Sequence, residues 1–150
     1  MALSTVSRIE ALKNAELFSI MPVEDLPYVA QIAQEVTISA GERFIRQGEP
    51  GDCLYLIVSG EAQIVLNGAG KIAQRGASSL IGELAIMWRQ PRSANCVAAT
   101  DMILLRIARD DFWALMENHP DLVRGAIDVL LKRLDERNED LRRFGGSALG

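Results

Sequence analysis

Hydrophobic spacing divides the chain into three textures. Val6, Ile9 and Leu12 recur at helical intervals behind Ser4, a residue suited to capping a helix start, so residues 5–17 are predicted as an amphipathic helix. A second short helix is predicted over 23–34, with Leu26, Val29 and Ile32 inward and Pro27 early enough to be tolerated. From residue 35 the period shortens to that of strands. The runs 36–39, 43–46, 54–59, 62–66 and 71–74 are rich in apolar and β-branched residues, and eight of the twelve glycines lie between Gly41 and Gly82. Strands about ten residues apart with glycine turns point to a sandwich or barrel, and Asn67-Gly68 marks a hairpin. Runs 94–99 and 102–107 complete the strand set.

Beyond residue 108 the pattern is helical again. Residues 110–117 form one predicted helix, and Pro120 opens another at its first turn. Val123, Ile127, Leu130, Leu134 and Leu141 make an apolar stripe along it, interrupted at Arg137, and Gly145-Gly146 ends it. The expected fold is α+β: an antiparallel β-roll of jelly-roll type, flanked by N-terminal helices and a long C-terminal helix. Its parts are an N-terminal helical segment (1–34), the roll (35–108) and C-terminal helices (109–144), all within one domain.

The 150 residues suffice for one domain, and 49% hydrophobic with 24% charged residues is an ordinary globular composition. A net charge of −4 argues against a broad nucleic-acid surface. No apolar run reaches the ~20 residues of a membrane-spanning helix, and the N-terminus lacks a signal-peptide core. Cys53 and Cys96 lie in apolar runs, which fits small core residues in a reducing cytoplasm better than a disulfide. No partner nucleic acid and no membrane are therefore expected for this segment, and the expected location is cytoplasmic. The single histidine, His119, leaves too few ligands for a metal centre of cupin type, so neither a metal nor a catalytic set is expected.

The chemistry concentrates in residues 81–95, Ile-Gly-Glu-Leu-Ala-Ile-Met-Trp-Arg-Gln-Pro-Arg-Ser-Ala-Asn. Gly82 permits a close backbone approach, and good helix formers follow Glu83. The first amides of a helix lie at the positive end of its dipole and suit an anion. Arg92, after Pro91, is a permanently charged planar fork suited to phosphate oxygens. Glu83 can accept a hydrogen bond from a sugar hydroxyl. One loop thus carries the means to hold a phosphate and a ribose.

Gly82-Glu83-Leu84-Ala85, with Pro91-Arg92-Ser93-Ala94 behind it, closely resembles the phosphate-binding cassette of cyclic nucleotide-binding domains. Gln47-Gly48-Glu49-Pro50-Gly51-Asp52, Ser59-Gly60 and Phe112 extend the resemblance, which spans residues 4–143. It implies that Arg92 and the amides of Gly82, Leu84 and Ala85 take the phosphate. Glu83 would take the ribose 2′-hydroxyl, and Ser93 and Ala94 would flank Arg92. For the base it offers Leu80, Ile81 and Cys96 from the roll, or Arg133, Leu134, Arg137 and Asn138 from a C-terminal lid; core packing and a solvated helix face are the plain alternatives. Serine at 93 favours cyclic AMP over cyclic GMP, since a threonine there goes with guanine contacts. The chain departs from the family pattern at Ser78-Ser79, where Gly-Asp is common, at Leu80-Ile81, where aromatics are usual, and at Trp88.

The expectation is a ligand sensor with no resident cofactor, whose ligand is cyclic AMP or cyclic GMP. No helix-turn-helix follows residue 143, and no kinase signature or pore occurs. The sensor is thus read as stand-alone or as the regulatory module of a longer channel, transporter or transcription regulator. Its partners would be an effector domain, linked or separate, and a second copy paired through the terminal helices. The rival reading is a roll that keeps the fold as an interaction or dimerisation module without nucleotide.

Overall fold

The computed structural model describes residues 2–83 and 89–145, with backbone alone at 137, 138 and 140–145. Helix α1 (Thr5–Asn14) is capped by Ser4, whose hydroxyl accepts from the Ser7 amide at 3.1 Å. It is shorter than expected, because Ala15 is already extended. Of its apolar positions Leu12 is buried, whereas Val6 is 73% exposed. A 3-10 turn (Val23–Asp25) leads into α2 (Leu26–Ile32), which buries Leu26 and Val29 and leaves Ile32 half-buried.

Among the described residues eight strands follow: β1 (Gln34–Ile38), β2 (Arg43–Ile45), β3 (Cys53–Ser59), β4 (Ala62–Leu66), β5 (Gly70–Arg75), β6 (Leu80–Ile81), β7 (Asn95–Ala98) and β8 (Met102–Ala108). They form two antiparallel four-stranded sheets, in the orders β1-β8-β3-β6 and β2-β7-β4-β5. Hairpin β4–β5 turns at Asn67-Gly68 as expected. Strand β6 is the one the pattern missed, since two residues are too few to show a period.

The central strands β3 and β8 of the first sheet are buried on both faces, and alternation along the sheet sorts side chains between two cores. Ile38, Ile57, Ile81, Met102 and Leu104 join Ile45, Ala62, Cys96 and Ala98 of the second sheet in one cluster. Leu54, Leu56, Leu80, Leu105 and Ile107 instead join the helices in a larger cluster that includes Phe18 and Phe112. Those two rings meet edge to face, 6.5 Å apart.

Helix α3 (Arg109–Asn118) and helix α4 (Pro120–Gly145) close the chain. Helix α4 buries Leu122, Ala126 and Val129, while Val123, Ile127 and Leu134 of the expected stripe are 39%, 51% and 56% exposed. Gly125 explains the choice of face. A Cβ there would come within 2.8 Å of Ile20 Cδ1 and 3.0 Å of the Leu17 carbonyl, so the helix lies directly against the turn after α1. Outside this inner face, Lys132 Nζ pairs with Glu16 Oε1 at 2.5 Å.

Candidate functional site

Strand β6 delivers the chain to Gly82, whose φ of +89° lies in the left-handed region that glycine enters without strain. A Cβ at this position would stand 2.1 Å from Arg92 Nη1 and 3.2 Å from the Cys53 carbonyl. The guanidinium is therefore packed against the bare backbone of Gly82, and only glycine leaves room for it.

Arg92 is held at both levels of its structure. Its amide donates to the Glu49 carbonyl at 2.8 Å and its carbonyl accepts from the Gly48 amide at 2.9 Å. The Gln47–Asp52 loop, through its main chain, thus clamps the arginine backbone. Pro50 and Pro91 form a β-bridge beside this clamp. Nearby, the Asn95 carboxamide oxygen accepts from the Gln47 amide at 2.9 Å, and its nitrogen donates to the Val65 carbonyl at 3.1 Å.

The Arg92 side chain is only 8% exposed. Nη2 donates to the Cys53 carbonyl at 2.8 Å and lies 3.4 Å from its sulfur. Nη1 is buried and has no hydrogen-bond partner among the described residues. A buried donor left in this condition costs about 1–3 kcal/mol, more when charged, unless an acceptor arrives. Beside a glycine that admits close approach, that donor is equipped to take an anionic oxygen.

Glu83, the residue after Gly82, is 4% exposed. Its Oε1 pairs with Arg133 Nε of α4 at 3.1 Å, and Arg133 Nη2 donates to the Leu80 carbonyl at 3.1 Å. The corner thus holds one buried carboxylate and two guanidinium groups. Of the proposed lid residues, Arg133 reaches the corner, and Leu134 faces solvent at 56% exposure. The side chains of Arg137 and Asn138 lie outside the described residues, as do Leu84, Ala85 and Trp88.

Ser93 is exposed and Ala94 half-buried, just before β7. Leu80 packs in the larger core, and Ile81 and Cys96 in the smaller. Burial pushes the Cys96 thiol up to about 11, against the opposing pull of Arg92, so it remains a neutral core group. Tyr55, across from Ile81, is raised to about 12, first by burial and then by Cys53. Ser78, one of the departures from the family pattern, adopts a φ of +75°. A residue with a side chain there accepts a conformation that glycine would enter freely. His119 ends α3, and its Nδ1 stands 3.5 Å from Asp25 Oδ2, a contact between two helical segments.

Sequence reading missed three parts of this site: the Cys53 carbonyl under Arg92, the Glu49–Gly48 clamp on its backbone, and the Arg133–Glu83 pair. The first two involve main-chain atoms, which no residue identity announces.

A two-sheet β-roll with a buried Gly-Glu corner, an internal arginine and a long helix packed against it is the architecture of small-ligand-binding β-roll domains. The sequence pattern of the cyclic nucleotide-binding domain matches residues 35–119, and the chain belongs to that family. The cAMP-dependent protein kinase regulatory subunit of Aspergillus niger is 33% identical over 116 residues, 77% of this chain and 28% of that protein. The chain thus spans about a third of the length of the kinase regulatory subunits it matches. Among solved structures, a cyclic nucleotide-binding domain from Methylobacillus flagellatus superposes with a TM-score of 0.75 at 28% identity. That match covers 97% of this chain and 85% of the other. The Thermus thermophilus catabolite activator protein gives a TM-score of 0.79 at 27% identity, covering 87% and 63%. Among the described residues no helix is long and apolar enough to cross a membrane.

Proposed function

We propose that this chain binds a cyclic nucleotide, cyclic AMP in preference to cyclic GMP, as the sensor module of a signalling protein. The observation that carries the reading is Arg92 Nη1: a cationic donor, buried against Gly82, with no partner among the described residues. A cyclic phosphate supplies the acceptor this donor lacks, and the amides following Gly82 would share the anion. Glu83 would accept from the ribose 2′-hydroxyl. Ser93 supports the adenine preference, as do relatives whose names specify cAMP dependence. Leu84, Ala85 and Ala94 complete the proposed cassette, and α4 would serve as its lid. Nucleotide would shift the packing of α4 by binding one arrangement better than the other, and an effector would read that shift.

Calorimetric titration with cyclic AMP and cyclic GMP tests the proposal. Saturable binding with the adenine nucleotide the tighter is the expected result, and no heat or thermal shift with either would refute it. The latter outcome would favour a nucleotide-free interaction module, a reading supported by the exposed apolar edge of α4 at Val123, Ile127, Leu131 and Leu134.

A further inference from the structure

Leu122, Ala126 and Val129 define the buried face of α4, and continuing their spacing one turn further reaches position 133. An apolar residue there would extend the core, yet the chain places an arginine. Its side chain is 28% exposed and divides its donors, Nε to Glu83 Oε1 and Nη2 to the Leu80 carbonyl, both at 3.1 Å. Arg133 thereby grips the corner on both sides of Ile81-Gly82, and Glu83 itself is almost fully buried.

Charge balance gives this grip a purpose. A buried carboxylate is costly unless paired, and an anionic ligand bound next to it would raise the cost by repulsion. With Arg92 facing the phosphate and Arg133 facing Glu83, two cations match two anions. We propose that Arg133 is a positioning residue for sugar recognition. It holds Glu83 through Oε1 and offsets its charge, so the carboxylate can accept a ribose 2′-hydroxyl beside a bound phosphate. Sugar selectivity is thereby tied to the seat of α4. The inference rests on the cyclic-nucleotide reading above and deepens it.

The test is a set of titrations with cyclic AMP and 2′-deoxy cyclic AMP on wild type, Arg133→Gln and Arg133→Lys, with thermal unfolding of each protein without nucleotide as a control for folding. Wild type is expected to prefer the ribose form. In Arg133→Gln, loss of a charge-assisted contact should weaken cyclic AMP binding about tenfold to a hundredfold. The deoxy form should weaken much less, so that discrimination between the two collapses. Arg133→Lys keeps the charge but not the fork and should fall between. A folded Arg133→Gln that keeps the wild-type discrimination overturns the inference and leaves the nucleotide reading intact. So does one that binds cyclic AMP more tightly, since Arg133 would then be a competitor the sugar must displace. A wild type that binds neither nucleotide overturns the function reading and this inference with it.

Discussion

Arg92→Leu exchanges a buried guanidinium for an apolar side chain in a pocket bounded by Gly82 and Cys53. Two effects on folding oppose each other. The variant loses the bond from Nη2 to the Cys53 carbonyl, and a hydrogen bond to a charged group contributes about 1.5–3 kcal/mol net. It also removes a buried cation whose Nη1 has no partner among the described residues, and an unsatisfied buried donor costs about 1–3 kcal/mol. The difference is small, so the ligand-free variant should unfold within about 5 °C of wild type, at ~2–4 °C per kcal/mol for a chain of this size. Binding has no such compensation. Each charge-assisted bond to a phosphate oxygen lost at about 1.5–3 kcal/mol removes one to two decades of affinity. Titration calorimetry on both proteins, with thermal unfolding plus and minus cyclic AMP, measures both halves. Wild-type affinity in Arg92→Leu would refute the assignment of the phosphate to this side chain. A variant that fails to fold would refute the cancellation.

Four further outcomes follow from the structure. Gly82→Ala should lose affinity about as severely as Arg92→Leu, because its Cβ would collide with Nη1 at 2.1 Å; a φ of +89° adds roughly 1–2 kcal/mol of backbone strain. Gly60→Ala is the control: its Cβ would meet the Asp101 carbonyl at 2.4 Å, so it should lower the melting temperature while the surviving folded protein binds normally. Amides of residues 120–143 should exchange hydrogen more slowly with nucleotide bound, and unchanged exchange there would count against α4 as a lid. Cys96, raised to about 11 by burial, stays protonated in the folded state where an unfolded thiol has released its proton. Its contribution to stability is therefore complete below about pH 9 and is lost as pH rises toward 11, with Tyr55 acting in the same direction. Denaturant midpoints of wild type and Cys96→Ala should accordingly converge or cross over that range, and parallel pH profiles would contradict it.

Much of the fold was legible because it follows local rules. Seven of the eight strands among the described residues lie where alternation and glycine turns put them, and Ala62–Leu66 coincides with its expected span. Ser4 caps α1, and Pro120 begins α4. Misreadings arose where a periodic pattern admits more than one partner. Val6 is at the right interval for a buried face, yet it faces solvent at 73% exposure. Helix α4 carries two apolar stripes, and periodicity alone cannot choose between them.

The candidate site divides in the same way. Gly82, Glu83 and Arg92 stand within eleven residues, and their chemistry alone suggests an anion beside a sugar. The partners that tune them come from far along the chain: Cys53 lies 39 residues before Arg92 and supplies a carbonyl. Arg133 was one of several cationic or apolar candidates on a helix face until packing singled it out. Residue types and short-range spacing, set by backbone geometry and turn chemistry, determined the elements and the cassette. The buried face of α4, the pairing of Glu83 with Arg133 and the unpartnered donor of Arg92 were decided only in three dimensions. Each depends on which distant backbone comes within a few ångströms, and the close contact at Gly125 settles that for α4.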